Sequence, residues 1–435
     1  MNAEIRAIKT PAEQALAETY AKAKGELPGG GAIAALREVA FRQFDLQGLP
    51  HRRVEEWKYT DLRALLRDST PLAEPPGPQA KAAAKNAAQL FAGVDCRRLT
   101  FADGVFVPEL SDLSAETGLR ITSMSEALAK GDPLVSAHVG KVFETKDPAV
   151  ALNTALMGDG AVIHVAAGAA IARPILLVLS GTQPASIFTR SLVVVEKGAK
   201  LVLIEAHESG EAQVNTALEL VVGDGASFDH LKITSAKALH LSSLLGRVGA
   251  KVKFNSFLFT SDSALIRNQL FLRFAGEGTE ASIGGVSLLR GREHADNTLV
   301  IDHAAAGCTS RERFRSVLEG ASRCVFQGKI IVEPRAQKTD AKMLSNALLL
   351  SDDAEADNKP ELEIFADDVQ CGHGATAGAL DQDLLFYLRA RGIPEQEAEA
   401  LLIQAFIGEV IDTIAQDEAR QLLMNAAIAW LKARE

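Results

Sequence analysis

Cysteine is scarce in this 435-residue chain, and the four present, Cys96, Cys308, Cys324 and Cys371, form no Cys-x-x-Cys pair. That spacing excludes a zinc ribbon and a disulfide framework and fits a reducing compartment. Aromatic residues make up only 5% of the chain, thin for a protein that stacks on sugars. Positive charge is in deficit, with 46 Lys+Arg against 56 Asp+Glu and a formal charge of −10. The imbalance argues against nucleic acid and anionic membrane surfaces as partners. Long apolar runs are also missing: the most apolar stretch, Ala161 to Ala172, is broken by His164 and stopped by Arg173-Pro174. The opening Met1-Asn2-Ala3-Glu4-Ile5-Arg6 lacks the apolar segment of a signal peptide, so a cytoplasmic protein without a membrane span is expected. Finally, Gly140-Lys141 is followed by Val142 and Gly328-Lys329 by Ile330. Neither offers the Gly-x-x-x-x-Gly-Lys-Ser/Thr loop that cradles phosphates, and no ATP site is expected in this chain.

What is present is a folded chain, 47% hydrophobic. Residues 1 to about 70 read as helical, with Ile33, Leu36, Ala40 and Phe44 at three- and four-residue steps between Pro11 and a stop at Gly48-Leu49-Pro50. Pro71 to Pro78 reads as a linker or turn and Ala80 to Leu90 as one more short helix. From about Leu99 short runs of Val, Ile, Leu and Phe take over, such as Pro174–Leu179, Leu265–Phe274 and Cys324–Val332. Gly-Ala or Gly-Thr steps recur at Gly168, Gly198, Gly225, Gly249, Gly278 and Gly320. A drifting repeat of this kind marks the coils of a solenoid, whose tight corners need positive φ. A sandwich or barrel would show turn signals at closer spacing and hairpin dipeptides, so a parallel β-helix is favoured. After Leu380 the chain turns helical again, with Leu402, Phe406, Val410 and Ile414 four apart, then Leu423, Ala427 and Leu431. The expected organisation is an N-terminal helical domain over residues 1–95, a β-helix core over 96–379 and a C-terminal helical domain over 380–435.

The most informative run is Lys359 to Thr376, above all Val369-Gln370-Cys371-Gly372-His373. If it is extended, Cys371 and His373 project from one face, a two-ligand platform for a soft or borderline metal. Zinc and iron–sulfur clusters want four ligands, so the remainder would come from elsewhere.

This run, together with Val325-Phe326-Gln327-Gly328-Lys329-Ile330, Lys338-Thr339-Asp340-Ala341, Ala347 to Ser351, Leu385 to Ile393 and the N-terminal Glu55-Glu56-Trp57-Lys58-Tyr59-Thr60, resembles the SufB/SufD family of iron–sulfur cluster assembly scaffolds. The resemblance covers nearly the whole chain. Its SufB-like branch carries a cysteine in the strand corresponding to Leu344–Leu348 and a Glu-His-Glu-Ala type sequence where this chain has Cys371 to Thr376. Ser345 and the Cys-Gly-His form here are similar to the SufD branch instead.

The resemblance implies a right-handed parallel β-helix flanked by helical domains and a non-catalytic role. It implies a SufB paralogue as partner, with a transient cluster shared between the two, and a separate ABC-type ATPase, SufC, docking on the C-terminal helices. A homodimer of the isolated chain is the alternative pairing. A flavin at the level of the complex finds no support in these residues. His373 is the first candidate cluster contact, as a nitrogen donor, against a ring that merely bonds a loop. Cys371 could carry persulfide sulfur or ligate iron, with a neighbouring imidazolium lowering its pKa, against a small buried filler. Asp367 and Asp368 are neighbours that could tune charge, although such pairs are usually just solvated. Leu402, Phe406, Val410 and Ile414 are the ATPase-docking candidates. Cys308 and Cys324 read as core packing before any sulfur path, and Trp57 and Tyr59 as packing. Asp302-His303 and Glu293-His294 look like acid–base fragments without a nucleophile motif. The rival reading is a β-helix carbohydrate lyase or hydrolase, which would line a groove with Asp, Arg and Lys.

Overall fold

The computed structural model describes residues 9–433; the opening residues on which the signal-peptide reading rests lie outside them. Helix Pro11–Ala23 starts at a capping box, with Thr10 and Glu13 bonding each other's backbone N–H. The buried Glu13 carboxylate also accepts from Leu49 N at 2.8 Å, just past the end of helix Ala32–Gln47. Gly48 at φ +72° makes this possible, because a Cβ there would sit 2.5 Å from Glu13 Oε1. A short helix follows at Pro78–Asn86.

The remainder is a parallel β-solenoid built of two facing sheets. From Ala161–Val165 on, consecutive strands alternate between a nine-stranded and a ten-stranded sheet, and up to the last coil each pairs in parallel with the strand one coil on. Along each strand every second side chain points inward. Leu203, Phe228, Phe254 and Ile283 from one sheet meet Leu220, Leu272, Ile301 and Ile330 from the other in one continuous interior. Each fully buried side chain of this size contributes about 1.5–3 kcal/mol, which is why coils too short to fold alone are stable when stacked.

The corners explain the glycine series. Gly198, Gly225, Lys251, Gly278, Gly307 and Lys338 all take positive φ, and each donates its N–H to a carbonyl of the following coil, from Gly198 to Asp224 through to Lys338 to Asp368. Gly249, expected at such a corner, is not the left-handed residue; Lys251 is. Gly249 is required for close approach instead, since a Cβ would lie 2.9 Å from Asp224 N. Gly320 belongs to the opposite corner, with Gly291.

Two further departures concern composition. Strands Ser227–Ala236, Leu239–Val248 and Thr309–Leu318 do not read as apolar runs because they carry inward-facing polar groups. Helices Met124–Lys130, Pro133–His138 and Pro148–Leu156 interrupt the strand-like texture, each started by a side-chain cap, Ser123, Asp132 and Asp147.

The Glu55–Thr60 motif is a clamp between the N-terminal helices and the solenoid. Trp57, fully buried, donates from Nε1 to Asp147 Oδ2 at 2.9 Å and lies under the Arg267 guanidinium at 3.8 Å, while Thr60 and Arg267 both bond the buried Asp296. The packing expectation for this aromatic therefore holds. Helices Glu395–Ile411 and Asp417–Lys432 lie on the outer face of the ten-stranded sheet, where Ile403, Ile407, Val410, Ile411 and Leu423 cover Ile204, Leu231, Phe257 and Val286.

The two ends of the solenoid differ. At the N-terminal end the sheets finish in short antiparallel strands, Val105–Phe106 and Leu119–Ser123. At the other end Glu355–Ile364 and Gln370–Gly378 each pair with one neighbour only, so among the described residues their outer edges carry no further strand.

Candidate functional site

Strand Gln370–Gly378 carries Cys371 and His373 at this open edge. Its register sets their direction: Cys371 pairs with Ala341 and His373 with Met343, both interior residues. Cys371 and His373 therefore face inward along the last coil, Cys371 half-buried and His373 exposed because no coil follows. The two side chains thus share one face of the strand, as the two-residue spacing implies.

Its electrostatics differ from expectation in one respect. Burial raises the Cys371 thiol pKa, a backbone hydrogen bond at Ala341 opposes the rise, and Asp340 and Glu312 add to it; the net direction is upward, not the lowering expected from a neighbouring imidazolium. The other cysteines are likewise protonated by burial. Cys308 donates to Gly276 O at 3.3 Å, and Cys324, 3.0 Å from Ser316 Oγ, is pushed up to about 11. Both lie in the interior as packing residues, and thiolate chemistry at either would need a base that the structure does not place there.

Asp367 and Asp368 lie exposed in the corner before the last strand. Asp368 has a structural task, since its carbonyl accepts from Lys338 N at 2.7 Å and its carboxylate pairs with the Lys338 ammonium. Ser345 is buried one residue pair further along, opposite Ala375. Among the described residues no three His, Cys, Asp or Glu side chains converge on one point, so the open end supplies only part of a ligand set.

Glu312 was not singled out from the sequence. It stands in one inward row with Met343 and His373, is fully buried, and neither carboxylate oxygen finds a hydrogen-bond partner. Burial pushes its carboxyl up to about 7. Between Arg311 and Arg313 it reads as surface charge; only the alternation Ser310, Glu312, Phe314, Ser316, Leu318 reveals an inward position.

The C-terminal candidates divide. Val410 and Ile414 are buried against the sheet and unavailable to a partner, whereas Leu402 and Phe406 are half-buried at its margin. The exposed apolar side chains of this block are Leu384, Phe386 and Tyr387 on helix Gln382–Arg389, and Leu401; Phe386 is 74% exposed. Gly328 sits within strand Arg323–Val332, where a Cβ would meet Met343 Sδ at 2.2 Å, so its glycine serves packing and not a phosphate. His303 is likewise interior, edge-on to Phe274, and burial lowers it to about 4, which leaves no acid–base pair with Asp302. No described helix is long and apolar enough to cross a membrane.

Comparison with known proteins covers almost all of this architecture. Residues 12–177 match the family model of the SufBD protein N-terminal region, and residues 177–406 that of the SUF system FeS cluster assembly SufBD core domain. The chain is 31% identical over 385 residues to an iron–sulfur cluster assembly SufBD family protein of Synechocystis, covering 84% of each chain. It is 30% identical over 390 residues to the iron–sulfur cluster assembly protein SufD of Escherichia coli, covering 87% of this chain and 88% of that one. The SufD of Bacillus subtilis matches at 26% identity over 329 residues, 73% of this chain and 75% of its own. With both halves matched and such relatives spanning most of its length, the chain belongs to the SufBD family of iron–sulfur cluster assembly proteins.

Proposed function

We propose that this chain is the SufD-like, non-catalytic subunit of a cytoplasmic cluster-assembly complex. It pairs with a SufB-type paralogue through the open end of its solenoid, and a nascent iron–sulfur cluster is built at the join. The observation that carries the reading is the coincidence of two features: the uncovered parallel edge of Gln370–Gly378, and His373 and Cys371 standing on it. An edge of unpaired N–H and C=O groups is a template for another chain. Two donors are too few to hold a cluster alone, which suits a cargo that must be released. That Ser345 stands where the SufB-like branch has a thiol supports a sulfur ligand from the paralogue. Burial raises the Cys371 thiol, which weakens it as a thiolate donor.

ATP hydrolysis is supplied in trans by a SufC-type ATPase docked on the C-terminal unit, residues 380–435. Its apolar contact is Leu384, Phe386, Tyr387 and Leu401, with Leu402 and Phe406 at the margin. Deleting this unit would strip the cover from Ile204, Leu231 and Phe257, so a surface substitution is the cleaner probe.

The test is co-expression with SufB- and SufC-type partners, anaerobic purification and an absorption spectrum. A ternary complex with cluster absorption is expected. His373→Ala should lower cluster content more than Cys371→Ala without loosening the complex, and Phe386→Asp should release the ATPase while the paralogue stays bound. Wild-type cluster content in an intact His373→Ala complex would remove His373 from the site.

A further inference from the structure

On the outer face of the ten-stranded sheet, strands Thr309–Leu318 and Asp340–Leu349 meet helix Glu395–Ile411 around a pocket of about 220 Å³. Arg313, Arg315, Leu344 and Asn346 line its sheet side, Glu409 and Val410 its helix side. Because Ser310, Glu312 and Phe314 point inward, Arg313 and Arg315 point outward together. Register sets Leu344 beside Arg313 and Asn346 beside Arg315. Beyond Leu344 the last strand offers Gly374, which has no side chain to cover it, and Leu344 is 38% exposed.

The two arginines differ in what holds them. The Arg315 guanidinium lies over the Phe406 ring at 4.7 Å, and its Nη2 donates to the Glu409 carboxylate. Its Nε is buried without a partner. In the same wall the Asn346 amide nitrogen donates to Thr376 Oγ1 and its Oδ1 bonds nothing, so the chain does not satisfy this pocket by itself. Arg313 is exposed and has no side-chain hydrogen bond or ion pair among the described residues. Two guanidiniums against one carboxylate leave a surplus positive charge in a chain whose formal charge is −10. On a flat surface water would solvate it; in a concave site with apolar walls the field is focused and selects an anion. The volume is that of about seven waters, room for a small organic molecule.

We propose that this pocket binds a short aliphatic dicarboxylate. One carboxylate lies on the Arg313 fork, the other on the Arg315 donors that Glu409 leaves free, and the methylene stem covers Leu344. Guanidinium groups suit this ligand because their parallel N–H donors match the two oxygens of a carboxylate. Inorganic phosphate carries the charge without the stem and would leave Leu344 in water. The inference does not rest on the pairing or the docking proposed above.

The full chain at low salt is titrated with glutarate by calorimetry, and saturation-transfer NMR is read on the glutarate methylenes. One site with a Kd of about 1 mM or tighter is expected, with saturation reaching the methylenes. Arg313→Gln should weaken binding at least tenfold while the chain stays folded, since Arg313 supports no internal contact. Glu409→Gln should tighten it by freeing Arg315, and Lys237→Gln, at a distant corner, should leave it unchanged. Absence of saturable binding, binding undiminished in Arg313→Gln, weaker binding in Glu409→Gln, or inorganic phosphate binding as tightly as glutarate would each overturn the assignment. So would a silent glutarate titration combined with an Arg313→Gln chain that loses its co-expressed paralogue, which would give the pocket to a carboxylate of the partner.

Discussion

The two ends of the solenoid solve the same problem in opposite ways. The N-terminal end closes with strands of two and five residues that run antiparallel to the first strands of the two sheets, and Phe101, 1% exposed, packs on Phe106 at 5.2 Å beneath them. The C-terminal end leaves strands of ten and nine residues with free edges, with Ile364 41% and Phe365 62% exposed. Short antiparallel edges suppress pairing with another chain, and long parallel ones invite it. One end is thus finished by the chain itself, and the other, which carries the candidate cluster donors, is left open at the edge where the proposed partner would pair.

The largest expected contrast is in stability. Phe101→Ala should cost about 3–5 kcal/mol, because it opens a cavity in a closed interior that cannot collapse. Ile364→Ala should cost under about 1 kcal/mol, because its side chain is already partly solvated. Urea unfolding of the isolated chain measures both, and equal losses would abolish the distinction between the ends.

Glu312 sharpens the comparison through pH. Its carboxyl titrates at about 7 in the folded chain against a usual value of 4.5. Between these values the folded chain keeps a proton that the unfolded chain has released, so stability falls as pH rises across the window. At about 1.4 kcal/mol per unit, Glu312→Gln should stabilise the chain by roughly 3 kcal/mol above pH 7 and by nothing below pH 4.5. Unfolding curves of both proteins across this range provide the check. An unchanged slope would mean that the carboxylate finds a partner in solution.

Much of this architecture was legible in the chain, and what was not has definite causes. Glycine corners revealed the coils because positive φ leaves a mark in the sequence. Lys251 and Lys338 hid two corners because their left-handed backbone is held by coil-to-coil hydrogen bonds instead of residue choice. Strand Leu265–Phe274 stood out by its apolar residues, whereas Ser227–Ala236 was masked by His230 and Lys232, polar groups that the solenoid turns inward. Cys371 and His373 were visible because a strand places residues two apart on one face. The buried partners of that face, Glu312 and Met343, were not, since register between coils joins residues about thirty apart with no local signal. Periodicity marked Val410 and Ile414 as apolar but could not say that the sheet, and not a partner, covers them.

The smallest expected effect lies at the corner that holds the open edge. Lys338 at φ +64° pays the usual penalty of a side chain in the left-handed region, about 1–2 kcal/mol, while its exposed ion pair with Asp368 returns about 0–1 kcal/mol. Lys338→Gly relieves the first and loses the second, and glycine also gives the unfolded chain more freedom to lose. The sum should be a stabilisation within about 1 kcal/mol. Gly278→Ala, at the equivalent corner in the middle of the stack, should instead cost about 1–2 kcal/mol, since nothing offsets the strain it introduces. Amide exchange of the last strand separates the two. If Lys338→Gly slows exchange at Gln370–Gly378, backbone strain governs the open edge. If it speeds exchange there, the Lys338–Asp368 pair is what holds the last coil in place, and the free edge depends on a surface charge pair that salt should weaken.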